Sequence, residues 1–291
     1  MYSEMGASDM VNSDSFVIHE KSRYHYWRGA GLLSIKTFWH GQAYYDIGQG
    51  AFLVDDASYL VLNAGQEYAI TIDATNAVTS FCIFFSQDLV NDVSHSMTCS
   101  LGSLLDDPCG NSPVPSEFYT RTYPHESWLA PMLNEIRKVY PHRRHESGWL
   151  NEQYHQIMIR MLFAHQQTIR EVASLPASRQ ATREELYRRL HLARDYVAAS
   201  YAQAVKLNDI AEVACMSPNH LMRTFKQLFR QTPYQYLISE RLRHAQVMLS
   251  TTDQSVTEIC LAVGFTSLGS FSWLFRQRCG MSPQTFRAQN W

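Results

Sequence analysis

Two rhythms of apolar and polar positions divide the chain. Up to residue 85, short runs rich in Val, Ile, Tyr and Phe recur at 15–19, 32–38, 43–47, 51–54, 59–62, 68–72 and 78–85. Turn-forming stretches separate them, among them Gly48-Gln49-Gly50 and Asn63-Ala64-Gly65. Many short strands at such spacing predict an antiparallel sandwich or barrel, with Tyr44, Ile47, Leu60 and Ile70 as candidates for its inner face. Residues 91–116 read as a loop, punctuated by Gly102, Pro108, Gly110, Pro113 and Pro115. The period then becomes helical. Trp128, Leu129, Met132, Leu133 and Ile136 mark one helix that Pro141 ends, and Leu150, Tyr154, Ile157, Met158, Met161 and Leu162 form the stripe of a second. This hairpin either closes the β core or exposes a seam for dimerisation, and the stripe alone does not choose. A polar stretch with a proline at 174–183 makes a natural boundary, beyond which the pattern is all helix.

The expected architecture is therefore multidomain α+β. A flexible arm (1–14) precedes an antiparallel β-barrel domain (15–120). The helical hairpin (121–173), the linker (174–183) and an all-α domain (184–291) follow.

That last domain repeats itself with an offset of about 50 residues. Phe225-Lys226-Gln227 recurs as Phe275-Arg276-Gln277, Thr232-Pro233 as Ser282-Pro283, and Tyr236 as Phe286. Upstream, Ile210-Ala211 and Cys215 match Ile259-Cys260 and Gly264 at an offset of 49. The slip of one residue falls in the turn between the two helices of each copy. Each copy has helix-turn-helix logic. A short helix starting at Leu207, with the small Ala211, leads through Cys215-Met216 to Ser217 as N-cap and Pro218 in the first turn. The next helix turns Leu221, Phe225 and Leu228 inward. The second copy repeats this with Ile259, Val263, Phe271 and Phe275, and Gly264 suits a left-handed turn position. Between them, 233–250 reads as one helix, about 27 Å long at 1.5 Å per residue. Such a spacer holds two reading helices roughly one DNA turn apart, for two successive major grooves of a duplex.

Charge supports a polyanionic partner. From Glu184 onward there are 12 Lys/Arg against 8 Asp/Glu, a net +4, whereas the rest carries −6 and the whole chain −2.

The segments IAEVACMSPNHLMRTFKQLF, ERLRHAQVML and ICLAVGFTSLGSFSWLFRQRCGMSPQTFR resemble the AraC/XylS family of transcription regulators, over about residues 185–289. The resemblance implies a seven-helix domain with two helix-turn-helix units, and less specifically a cupin-like sensor barrel in front. It implies a regulator, more often an activator, that binds double-stranded DNA, responds to a small-molecule effector, forms a homodimer and works with RNA polymerase.

The resemblance also assigns base reading to the front of each recognition helix. In the first unit this means Asn219, Met222 and Arg223, with His220 nearby. The fork of Arg223 suits the two acceptors of guanine, Asn219 suits adenine or supports the cap, and Lys226 suits a phosphate. The second unit departs from the pattern. Leu268 and Gly269 precede Trp273, and only Ser267, Ser270 and Ser272 offer short polar groups. Trp273 either contacts a thymine methyl or sugar, or packs into the core. Arg276 and Arg278 are then expected to hold phosphates.

In the front domain Arg23, Tyr24, Tyr26, Trp27, Trp39, His40, Tyr44, Tyr45 and Tyr68, with Arg28 and Lys36 nearby, are candidate effector-binding residues, or simply fill the core and its rim. His25, His40 and His95 are far apart and form no HxH pair, so neither a catalytic metal nor a cofactor is expected. His142, His145 and His155 read as a solvated cluster. No Gly-rich phosphate loop or nucleophile elbow appears. A hydrophobic fraction of 45% with 18% charge fits a globular protein. No apolar run approaches the roughly 18 residues of a membrane span, and the polar start does not read as a signal peptide. Six cysteines without a CxxC pair fit a reducing cytoplasm, with Cys99 and Cys109 most simply free thiols.

Overall fold

The computed structural model describes residues 14–48, 50–98, 117–124 and 129–290. Cys99, Cys109, Trp128 and most of the expected 1–14 arm and 91–116 loop lie outside them. The chain divides into two compact units, Met1–Arg188 and Arg189–Trp291.

Among its described residues unit one holds seven strands: β1 Phe16–Ala30, β2 Leu33–Trp39, β3 Ala43–Asp46, β4 Ala51–Val54, β5 Ser58–Leu62, β6 Glu67–Phe85 and β7 Thr122–Pro124. They form one antiparallel sheet in the order β4-β3-β6-β2-β5-β7, with β1 along the free side of β6. The ends β4 and β7 approach each other, so the sheet curls nearly closed, as expected for a barrel.

Two strands are longer than their apolar runs. The runs at 68–72 and 78–85 are one strand: the stretch between them, which reads as a turn, stays extended, with 74–77 bulging opposite Arg23 where the β1–β6 register shifts between Ser22–Val78 and Tyr24–Asp73. β1 likewise runs on to Ala30 through mostly exposed residues, held by its ladder to β6 rather than by apolar burial.

Leu60 and Ile70 face inward as expected and Ile47 is half-buried, but Tyr44 does not face inward. It points to solvent, where its hydroxyl accepts from Gln42 Nε2 at 2.7 Å, and Tyr45 fills the core. With a side-chain period of two, a one-residue difference in register exchanges the faces.

Helix α1 (Gln87–Thr98) occupies the start of the stretch that reads as a loop, burying Leu89, Val90 and Val93. The hairpin follows as α2 (Ala130–Arg143) and α3 (Ser147–Ala173). Pro141 does not end α2, which continues to Arg143; so near the terminus the missing N–H removes one hydrogen bond and displaces no further turn.

The stripe of α3 is internal. Tyr154, Ile157, Met158, Met161 and Leu162 are buried, and Leu150 half-buried, in one cluster with Ile35, Tyr59, Phe81 and Phe85 of the sheet. These six residues therefore close the β core and are not an open dimer seam. The segment before β7 is tied down by Asn63, whose Nδ2 donates to Phe118 O (2.8 Å) while Phe118 N donates to Asn63 Oδ1 (2.9 Å).

Helix α4 (Gln180–Ala199) starts earlier than the sequence pattern suggests and carries the chain into unit two. There follow α5 (Leu207–Val213), α6 (Pro218–Phe229), α7 (Pro233–Thr251), α8 (Val256–Ala262), α9 (Leu268–Cys279) and α10 (Pro283–Asn290). With α4 these make the seven helices expected.

Candidate nucleic-acid interface

The two copies in unit two share their turns bond for bond. Met216 N donates to Ala211 O and Phe265 N to Cys260 O, at 2.9 and 3.0 Å. Cys215 and Gly264 occupy the left-handed position, at φ +48° and +90°. Helix α6 begins with Ser217 Oγ accepting from His220 N, and α9 with Ser267 Oγ accepting from Ser270 N, both at 3.4 Å. Arg230 and Gly280 close them with φ +59° and +79°. The offset is 49 up to Phe265 and 50 from Ser267, so the extra residue lies in the second turn.

This framework fixes which faces are free. In α6 the buried column is Leu221, Thr224 and Phe225, while Asn219, His220, Met222, Arg223 and Lys226 are exposed. At about 100° per residue, Asn219, Arg223 and Lys226 line up opposite Leu221 and Phe225. In α9 Phe271 and Phe275 are buried, and the matching outward column is Gly269, Trp273 and Arg276. Trp273 is 64% exposed, so it is not a core residue.

Ser270 is exposed and Ser272 half-buried, while the Ser267 oxygen is occupied by its cap. Arg278 is exposed on another face of α9. It sits about 140° around α9 from Trp273, where it lines a cleft of about 500 Å³ with Tyr234, Gln235, Ile238, Leu274 and Gln277.

The spacer α7 joins both copies. Its Ile238, Leu242, Ala245 and Leu249 pack with Ile259, Val263, Phe271 and Phe275, while Tyr236 meets the edge of Phe225. Buried Arg241 donates from Nε to Tyr201 O (2.8 Å) and from Nη2 to Gln203 O (2.7 Å), with its guanidinium 5.5 Å from the Phe265 ring. It thereby locks the α4–α5 loop, the spacer and the second turn together.

The effector candidates of unit one are only partly gathered in one place. Arg23, Tyr24, Tyr26 and Arg28 are exposed on β1, as is Tyr44 on β3. Exposed His40 is a turn residue at φ +62° whose N–H donates to Asp56. Trp39 is buried against Phe81, with the Arg137 guanidinium 4.3 Å from its ring. Trp27, Tyr45 and Lys36 do meet, all at Tyr68: the Trp27 and Tyr45 rings lie 4.9 and 5.6 Å from its ring, centroid to centroid.

This group centres on Lys36, which is 2% exposed. Its Nζ donates to Tyr68 OH at 3.0 Å and lies 3.7 Å from the centre of the Phe84 ring. Burial lowers its pKa from 10.5 to about 8, slightly offset by Cys82, its partner across the β2–β6 ladder. Burial pushes the Cys82 thiol up, and likewise the Tyr45 and Tyr68 phenols. The sequence places Lys36 beside the candidate pocket but does not show its full burial, since β2 is buried on both faces: its neighbours Ile35, Thr37 and Phe38 are buried too.

His142, His145 and His155 are exposed. Among the described residues no three His, Cys, Asp or Glu side chains are grouped to hold a metal, and no helix is long and apolar enough to cross a membrane.

Residues 210–289 match the family model described as a helix-turn-helix domain. The melibiose operon regulatory protein of Escherichia coli is 37% identical over 92 residues, 32% of this chain and 30% of that protein. The HTH-type transcriptional activator RhaS of Yersinia pestis is 33% identical over 101 residues, 35% of this chain and 37% of that one. The match thus spans about a third of these relatives' length. Among solved structures, a transcriptional regulator with an AraC-type DNA-binding domain from Chromobacterium violaceum is 32% identical, covering 35% of this chain and 91% of that chain at a TM-score of 0.34. ToxT of Vibrio cholerae covers 95% of this chain and 97% of its own at 14% identity and a TM-score of 0.36.

The second unit is a double helix-turn-helix domain. By its repeat, its turns and its relatives it is of the AraC/XylS type.

Proposed function

We propose that the protein regulates transcription by binding double-stranded DNA, with α6 and α9 entering two successive major grooves on one side of the duplex. One observation carries this reading: the same outward column, one residue in four or three, is exposed on both helices at a constant offset of 50 residues. The 19 residues of α7 span about 28 Å, close to one DNA turn. Arg223 pairs with a guanine edge, Asn219, His220 and Met222 border the same bases, and Lys226 and Arg276 hold phosphates.

Duplexes selected from a random pool, followed by gel shifts, test this. Arg223→Ala should relax preference at one or two base pairs by about 1–3 kcal/mol, whereas Arg276→Ala should weaken all duplexes alike and flatten the salt dependence by about one unit of slope. The reverse pattern would exchange the roles of the two residues, and failure to select any sequence would end the proposal.

Control by a small molecule is the finer part of this reading. A buried ammonium with no ion pair among the described residues favours an anionic or hydroxylated effector at Lys36, in a binding rather than a catalytic domain. The remaining features of the reading are a homodimer that does not use the α3 stripe, activation through RNA polymerase, and action in the cytoplasm. A metabolite panel in a thermal-shift assay tests the effector, because a ligand raises the melting temperature by mass action. A DNA-binding protein whose β unit serves only assembly would show no shift and concentration-dependent melting.

A further inference from the structure

The two recognition helices present different chemistry at the same place. The outward column of α6 is Asn219, Arg223 and Lys226; that of α9 is Gly269, Trp273 and Arg276. Where the first helix offers a guanidinium, the second offers an indole that is 64% exposed. Trp273 has no ring partner or hydrogen bond among the described residues, and the column is anchored from behind by Phe271 and Phe275, both fully buried.

Gly269, one turn before Trp273, adds a second observation. It is not in the left-handed region, and a Cβ there would meet only Ser267 Oγ at 3.8 Å. The fold therefore does not require glycine at this position, in the first turn of α9. Its effect is to leave bare backbone beside the indole, clearing space for a base edge.

An indole has one N–H donor and a broad apolar face. In the major groove the apolar mark that a base pair displays is the C5-methyl of thymine, which separates A·T from T·A and both from G·C. We infer that the second recognition helix reads thymine methyl groups through Trp273, in the clearance left by Gly269, while the first reads hydrogen-bonding edges. Recognition is thus split by chemistry: one half-site is selected by donors and acceptors, the other by shape and apolar contact. The inference rests on the DNA-binding reading above.

Uracil scanning of a selected duplex separates the two. Replacing thymine by uracil removes one methyl and leaves the hydrogen-bonding edge unchanged. With the full chain, substitution at one or two positions under α9 should weaken binding about fourfold per methyl, while substitutions under α6 should have little effect. Trp273→Ala should bind the thymine and uracil duplexes equally, and Trp273→Phe should retain part of the preference. Circular dichroism verifies that these exposed-site variants fold. A methyl effect that persists in Trp273→Ala, or its absence throughout the α9 half-site, would overturn the inference and leave DNA binding intact. If no duplex is selected at all, the DNA-binding reading falls and takes this inference with it.

Discussion

Replacing Gly264 by alanine probes the junction that holds the two readers. At φ +90° an alanine adopts the left-handed region at a cost of roughly 1–2 kcal/mol. Its Cβ would also lie 2.8 Å from Ala202 O, 3.0 Å from that carbonyl carbon and 3.0 Å from Arg241 Nη2. Neither the loop backbone nor Arg241 is free to withdraw, since the guanidinium holds Tyr201 O and Gln203 O. Lengthening even one such charge-assisted bond adds about 1.5 kcal/mol or more. The expected loss is about 3 kcal/mol, a fall of at least about 12 °C for a unit of this size.

Cys215 supplies the internal control. It sits at the equivalent turn position at φ +48°, exposed, so Cys215→Gly relieves strain at the expense of unfolded-chain entropy and should change stability by less than about 1 kcal/mol, in the favourable direction. Urea unfolding followed by far-ultraviolet circular dichroism measures both. A Gly264→Ala chain within about 0.5 kcal/mol of the parent would refute the claim that this junction is closely packed.

Three further outcomes follow from particular side chains. Below its pKa of about 8 Lys36 is protonated in both the folded and unfolded chain; between 8 and 10.5 the unfolded chain still binds a proton that the folded one has released, so stability should rise with pH across that window. Lys36→Met should remove that rise and stabilise the protein near neutral pH by up to about 3 kcal/mol, and equal unfolding of both chains at neutral and alkaline pH would contradict it. Tyr45→Ala should cost about 3–5 kcal/mol and Tyr44→Ala under about 1, a contrast in thermal unfolding that the opposite register would reverse. Ser255→Ala removes a cap in which Glu258 N donates to Ser255 Oγ at 3.2 Å, and should destabilise unit two by about 1 kcal/mol in the same assay.

How much of this was legible in advance depended on the range of the interactions involved. Caps, turns and the helical period are local: Ser217, Pro218, Gly264 and the columns of Leu221, Phe225, Phe271 and Phe275 follow from neighbours within a turn or two, and the 50-residue repeat let each copy corroborate the other. So the two helix-turn-helix units, the spacer between them and the outward positions of Asn219, Arg223 and Lys226 were readable from the chain alone, whereas the count of seven helices came with the family resemblance.

Strand pairing is not local. The run 73–77 looks like a turn, yet it is a bulge within one strand whose two flanks both pair with β1, and the choice between Tyr44 and Tyr45 depends on a register shared with β6, far away in sequence. The stripe of α3 shows the same limit, since an apolar face says that something covers it without saying what; here the sheet does. Lys36 and Trp273 mark the boundary from both sides. The sequence leaves both residues open between core and surface; packing buries the lysine and exposes the tryptophan, because burial is decided by what the folded chain brings against a residue rather than by the residue itself.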